Sequence, residues 1–361
     1  MGAELSYLRP IDCKTPSRSV SLHYHAPELR EACALALTVL SGADPLFNGE
    51  VAEAEPHDGA LFSVDLHVAG HSSVEESKHA QVRSTTAMPL HGIIKTPNDS
   101  LNVQIIAADL AQQSGAHLEA ANSNTQAFFD DGLLDMLCQA VEAGLCQERR
   151  RVCFIETAQM ETASPSWVNF ASRHLAETFS ELEIFSMTAA DAAALMAADK
   201  FNHDIIVAEH ISAEILRSLA LTLTGTASLA VSSIMTPEGL KVEPAPMSSN
   251  HEVDGSQTPI LQTLAAGIEA LVALKRYAAA GTVHNAILRA LEDGVHPSSV
   301  RHIGPYSTTL SDADFVDAVI ERFGSCRKNQ DPVAYVNYRR QGRDGGKNRS
   351  PLRLVHSRDA L

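Results

Sequence analysis

The chain has 361 residues, of which 45% are hydrophobic and 20% charged, and its formal net charge is −16. That length can bury a substantial core in one large domain or two, and the acidic balance argues against a nucleic-acid surface, where phosphates need clustered Lys and Arg. No apolar run approaches the roughly 20 residues that span a bilayer, so no membrane helix is expected.

Strand-like and helix-like segments alternate along the chain. SVSLHY (19–24) is a candidate strand, and PELREACALALTVLSG (27–42) a helix with Pro27 near its start and Gly42 at its end. GALFSVDLHV (59–68) and LNVQIIAADL (101–110) read as strands, the second followed by a helix over 124–144. RRVCFIET (150–157) is a continuous apolar run of buried-strand type, with a helix over 166–180 after it. HDIIVAEH (203–210) is the next strand, and the amphipathic helix that follows ends at Gly225. Later segments predict helices over 258–281, 282–294 and 311–324, and the Pro-, Ser- and Gly-rich stretch 232–259 predicts a long binding loop. This order implies an α/β protein with a largely parallel sheet.

The basic stretch NYRRQGRDGGKNRSPLRLVHSR belongs to a flexible, solvated tail over 331–361. The N-terminus lacks the apolar core of a secretory signal. The six Cys form no CxxC or Cys/His cluster and read as reduced thiols buried among apolar neighbours, so the cytoplasm is the expected compartment.

Glu214 and Ser218 stand four apart, so both project from one face of their helix. Two carboxylates at that spacing would hold a divalent cation, and here there is one. From about 124 to 325 the order of segments resembles the isocitrate/isopropylmalate dehydrogenase family. The closest match runs through FNHDIIVAEHISAEILRSLALTLTG, where Glu214 and Ser218 fall on the family's two Asp positions and Thr224-Gly225 is in register. GLKVEPAPMSSNHEVDG is similar to its cofactor loop, and TPILQTLAAGIEALVAL to the helix after it.

The resemblance implies an isopropylmalate dehydrogenase-like two-domain fold. Residues 1–99 and 231–330 would make the larger α/β domain, and 100–230 a smaller central domain with the dimer contact. It also implies that working residues are replaced. Thr157 stands at the family's proton-transferring Lys, Gln159 at an Asn, Gln113 at the catalytic Tyr, and Ile106 and Lys95 at substrate-binding Arg positions. His23, Tyr24 and His25 fill a Gly-rich turn between strand and helix, and Met247-Ser248-Ser249 replace the cofactor loop's His-Gly-Ser. A Thr hydroxyl does not ionise near neutrality, and Ser218 brings no charge to an ion.

The resulting expectation is a pseudoenzyme-like, repurposed scaffold that binds neither Mg²⁺ or Mn²⁺ nor NAD(P). Its inter-domain cleft would carry a non-redox step on a small molecule (isomerisation, cyclisation or elimination), with His91, Lys95, Glu209, His210 and Glu214 as the working groups. The alternatives are a non-catalytic regulatory subunit of an active paralogue and a residual NAD(P)-dependent dehydrogenase. A homodimer, or a heteromer with a paralogue, is expected.

Overall fold

The computed structural model describes residues 18–24, 29–47, 49–53, 62–68, 81–89, 96–108, 131–156, 167–226, 229–236, 239–245, 259–298, 307–325, 327–328, 331–338 and 355–356. In chain order the strands are β1 (Arg18–Tyr24), β2 (Gly49–Glu53), β3 (Phe62–Val68), β4 (Val82–Ala87), β5 (Val103–Ala108), β6 (Arg151–Glu156), β7 (Glu183–Thr188), β8 (Ile205–Glu209), β9 (Val231–Thr236), β10 (Gly239–Pro244), β11 (Val295–Pro297), β12 (Thr308–Leu310) and β13 (Val355–His356). The helices are α1 (Arg30–Ala43), α2 (Asp131–Leu145), α3 (Trp167–Thr178), α4 (Ala189–Ala197), α5 (His210–Leu223), α6 (Pro259–Ala273), α7 (Tyr277–Glu292) and α8 (Asp312–Ile320).

Eleven strands form one sheet in the order β13-β7-β6-β8-β5-β4-β9-β10-β3-β1-β2, and β11 and β12 pair apart from it. The flank from β13 to β5 is parallel, as is β1 with β2. Between them β4, β9, β10 and β3 run antiparallel to their neighbours. The parallel strands are apolar on both faces because helices cover both: β5 is buried at all six positions. Along it, Ile106 and Ala108 pack with α2 and α3, while Ile105 and Ala107 pack with α4 and α5. A further core joins β1 to α1, α6, α7 and α8. The four described cysteines, Cys33, Cys138, Cys146 and Cys153, are buried and none is in a disulfide. No helix among the described residues is long and apolar enough to cross a membrane.

Three local departures from the sequence reading have physical causes. The helix expected over 258–281 breaks at 274–276, so that α7 starts at Tyr277 and runs through the next expected helix. Lys275 takes a left-handed φ of 61°, and the Lys275 and Arg276 amides donate to Val272 and Leu271 carbonyls. That C-terminal cap is usually marked by Gly, and here no Gly announces it. The stretch read as a loop over 232–259 begins with β9 and β10, which pair antiparallel. β9 is disguised by Ser232 and Ser233, both buried: Ser232 Oγ meets Thr85 Oγ1 at 2.7 Å, and Ser233 turns to the opposite face. Finally, His23 and Tyr24 belong to β1 itself rather than to a turn after it, and Tyr24 is buried in the α1 core.

Residues 331–338 run without regular structure over α7 and α2. The Val333 amide donates to Asn285 Oδ1 at 2.8 Å and the Val336 amide to the Cys146 carbonyl at 2.7 Å. Tyr335 Oη lies 2.9 Å from His284 Nδ1, and the Tyr338 ring packs against Phe179.

Candidate functional site

The sequence-predicted residues that fall within the described structure gather where β8 passes into α5. Glu209 ends β8, with an extended backbone (ψ 155°) that turns the chain into the helix. Its partner across the sheet is Ala108, the last residue of β5, so this is the carboxyl end of the parallel strands, where α/β sheets place their ligands. Side chains along β8 alternate, and Glu209 shares the face of Ile205 and Val207, toward α3. There Trp167 Nε1 donates to Glu209 Oε1 at 3.0 Å, fixing one carboxylate oxygen. Trp167 is itself buried against Phe154, with ring centroids 6.1 Å apart. His210 is the first residue of α5 and is exposed.

Glu214 lies one turn into α5. Its carboxylate pairs with the guanidinium of Arg217, three residues on, whose side chain is 5% exposed against 28% for Glu214. Ser218 is exposed. The helix closes as its sequence predicts, with Gly225 at a left-handed φ of 66° and the Thr226 amide bound to the Leu221 carbonyl.

This donor set does not fit a divalent cation. It offers one carboxylate already charge-paired to an arginine and one neutral hydroxyl, where such an ion wants several oxygen ligands with negative charge. Among the described residues no three His, Cys, Asp or Glu side chains come together to share a metal. His91, Lys95, Gln113, Thr157, Gln159 and the cofactor-loop positions 246–249 lie outside the described residues. Ile106, read as standing at a substrate-binding Arg position, is fully buried on the α2 face and is not brought together with α5.

Sequence reasoning missed two features. Arg217, which the sequence reading did not single out, is buried and holds Glu214. The second feature is an ion-pair cluster on the sheet face that α5 covers. Arg83 of β4 meets Glu243 of β10 at 3.3 Å, and Lys241 meets the other carboxylate oxygen at 3.3 Å. Ile234 of β9 faces both Arg83 and Lys241 in register, so the three share one face. Period-two alternation in VRSTTA and LKVEP carried that signal.

No protein-family model matches the sequence. The 3-isopropylmalate dehydrogenase of Salmonella typhimurium is 22% identical over 276 residues, which cover 73% of this chain and 75% of its own. The enzyme of that name from Prochlorococcus marinus is 24% identical over 159 residues, 44% of each chain. Among solved structures, isocitrate dehydrogenase from Methylococcus capsulatus superposes with a TM-score of 0.56 at 16% identity, covering 81% of this chain and 95% of that one. TT0538 protein from Thermus thermophilus gives 0.56 at 16%, covering 85% and 69%.

Proposed function

We propose that this chain is a diverged member of the isocitrate/isopropylmalate dehydrogenase family that carries out a non-redox reaction on a small molecule, a reading supported by its similarity to 3-isopropylmalate dehydrogenase and by its fold. The observation that carries this reading is the Glu214–Arg217 pair. At the position where the family holds its metal, the remaining carboxylate is neutralised by a buried guanidinium. Metal-assisted oxidation of a hydroxy acid has no place to start there.

The site keeps a carboxylate suited to moving a proton. Glu209, oriented by the Trp167 indole at the carboxyl end of β8, serves as the base, and His210 beside it exchanges protons with solvent. His91 and Lys95 are the other expected working groups, Lys95 drawing the substrate carboxylate by its charge. The reaction class is isomerisation, cyclisation or elimination, each beginning with removal of a proton from carbon. Two copies form the working unit, and the buried cysteines outside disulfides support a reducing compartment, the cytoplasm.

The test is proton NMR in D₂O with a panel of branched 2-hydroxy and 2-oxo diacids, among them 3-isopropylmalate and isocitrate. Solvent deuterium is expected to enter one substrate class, with a drop of at least 100-fold in Glu209→Gln. Reduction of NAD⁺ or NADP⁺ in the presence of Mn²⁺ would overturn the reading in favour of a residual dehydrogenase.

One observation favours a second reading, that of a non-catalytic partner subunit. Ile211 and Ile215, one turn apart on α5, are 75% and 62% exposed. A stripe of that kind suits a helix-to-helix contact with a paralogue. Co-purification of the tagged chain with an intact family member, together with no exchange on any substrate, would establish it.

A further inference from the structure

A cavity of about 520 Å³ lies under α2, α6 and α7, and the reading above does not use it. Register fixes its place. Gln104, on its wall, pairs with Ile205 at the start of β8, whereas Glu209 ends β8 opposite Ala108. Four residues of strand, about 13 Å, separate the two levels. Met235 of β9, also on the wall, packs into the core on the α2 side of the sheet, away from α5. The cavity is therefore distinct from the ground around Glu209 and Glu214.

Among the described residues its wall carries four acidic or basic side chains: Glu142, Glu269, Lys275 and His284. Lys275 and Glu142 pair at 3.7 Å on the solvent side, where Lys275 is 63% exposed, and their charges cancel. His284 is neutral near pH 7, because burial, with Arg327 and Arg149, lowers its pKa to about 4. That leaves Glu269 as the one charge on the wall without an opposite charge of its own.

Glu269 is poorly compensated. It is half-buried, and its Oε2 accepts one long hydrogen bond, from Ser233 Oγ at 3.5 Å. Its Oε1 has no hydrogen bond among the described residues and is not sealed in the interior, so it opens on the cavity. Arg149 attracts the carboxylate, but its guanidinium is held by Asn102 Oδ1 at 2.7 Å, and Asp204 is its stronger counter-charge. Burial outweighs the pull of Arg149 and Ser233 and raises the Glu269 carboxyl above the usual carboxylate range. A carboxylate away from water needs a cation and donors, and the cavity in front of Glu269 is where they can enter. Much of the remaining wall is apolar, with Leu240, Leu261, Ile268 and Leu288 among it. The volume falls within the roughly 300–1,000 Å³ typical of small-molecule sites, and an apolar wall with a few polar groups is their usual lining.

We propose that this cavity is a second binding site, for a primary amine with a hydrocarbon body. The ammonium donates to Glu269 Oε1, and the body lies against Leu261, Ile268 and Leu288. One positive charge on the ligand matches the one negative charge that the wall leaves over once Glu142 and Lys275 have paired. The proposal does not depend on the reaction assigned to Glu209, and its failure leaves that assignment untouched.

The probe is 2-naphthylmethylamine, protonated at neutral pH and titrated into full-length protein by calorimetry. About 150 mM salt screens loose attraction to the acidic surface. The comparators are neutral 2-naphthylmethanol, anionic 2-naphthoate, and methylamine, which has the charge without the body. The naphthyl amine is expected to bind one-to-one and at least about 10-fold more tightly than any of the three. Glu269→Gln keeps the shape and removes the charge, and should bring the amine down to the affinity of the alcohol. Wild-type protein labelled at methionine methyls decides the matter even where the variant fails to fold. The Met235 methyl, on the cavity wall, should shift with the naphthyl amine, and the Met196 methyl, packed against α5 on the other face, should not. No binding, any comparator as tight as the naphthyl amine, an unaltered preference in Glu269→Gln, or an unmoved Met235 would each overturn the proposal.

Discussion

Glu214 and Arg217 sit three apart on one helix face, where opposite charges meet readily. Removing Arg217 would leave Glu214 part-buried without a counter-charge, so Arg217→Met is expected to cost about 1–2 kcal/mol. Placing a second carboxylate there should have a more telling result. In Arg217→Ser/Ser218→Asp, Glu214 is released and two carboxylates stand four apart. That variant is expected to gain a Mn²⁺-dependent rise in melting temperature that the wild type lacks, because an ion bound only by the folded chain stabilises it. A wild-type rise as large as the variant's would mean that Arg217 does not disarm the site. Ser218 was legible in the sequence because register alone places it. Arg217 was not, since mid-helix arginines are usually solvated and only packing shows that this one is buried.

At the scale of elements, boundaries followed the chemistry that marks them. The helix ending at Gly225 was readable from a glycine that accepts a left-handed backbone. The end of α6 was not, because Lys275 adopts the same conformation with no glycine to announce it. β9 was hidden for another reason, as its serines are buried polar groups satisfied only across strands. Gly267 shows a constraint of packing. A Cβ there would lie 2.6 Å from Leu40 Cδ1, where α1 meets α6. Gly267→Ala should therefore push the helices apart and cost about 1–3 kcal/mol in urea melts, although alanine is the better helix former. A variant as stable as the wild type would show that Leu40 gives way freely. On α5 the apolar pair Ile211 and Ile215 suits a helix-to-helix contact, with a second copy in the first reading and with a paralogue in the second. Ile215→Glu should shift the sedimentation coefficient from dimer to monomer without changing the circular dichroism. An unshifted dimer would move the contact elsewhere.

Across the whole molecule, the alternation of strands and helices gave the α/β class. The antiparallel middle of the sheet was beyond reach, because strand order depends on contacts far apart in sequence. The same long-range packing sets how stability responds to acid. His203 lies between Phe185 and Phe201, with ring centroids at 4.6 and 5.2 Å. His284 lies far along the chain, against Tyr335. Burial, helped by Arg151, lowers the His203 pKa to about 4 against the ordinary 6.5; burial, with Arg327 and Arg149, does the same to His284. Above pH 6.5 each is neutral whether the chain is folded or not, and neither affects stability. Below it the unfolded chain takes up protons that the folded chain refuses until about pH 4. Stability is therefore lost as pH falls through that window, and the loss levels off below it. Glu269 and Asp312, whose pKa values burial raises, act in the opposite sense as pH falls toward their ordinary values, so the wild-type curve alone does not isolate the histidines. A difference does. The stability gap between wild type and His203→Phe should change by about 2 kcal/mol between pH 7 and pH 5, the variant losing less. Urea melts at the two pH values measure it, and a gap that stays constant would mean that His203 takes its proton as readily in the fold as in water.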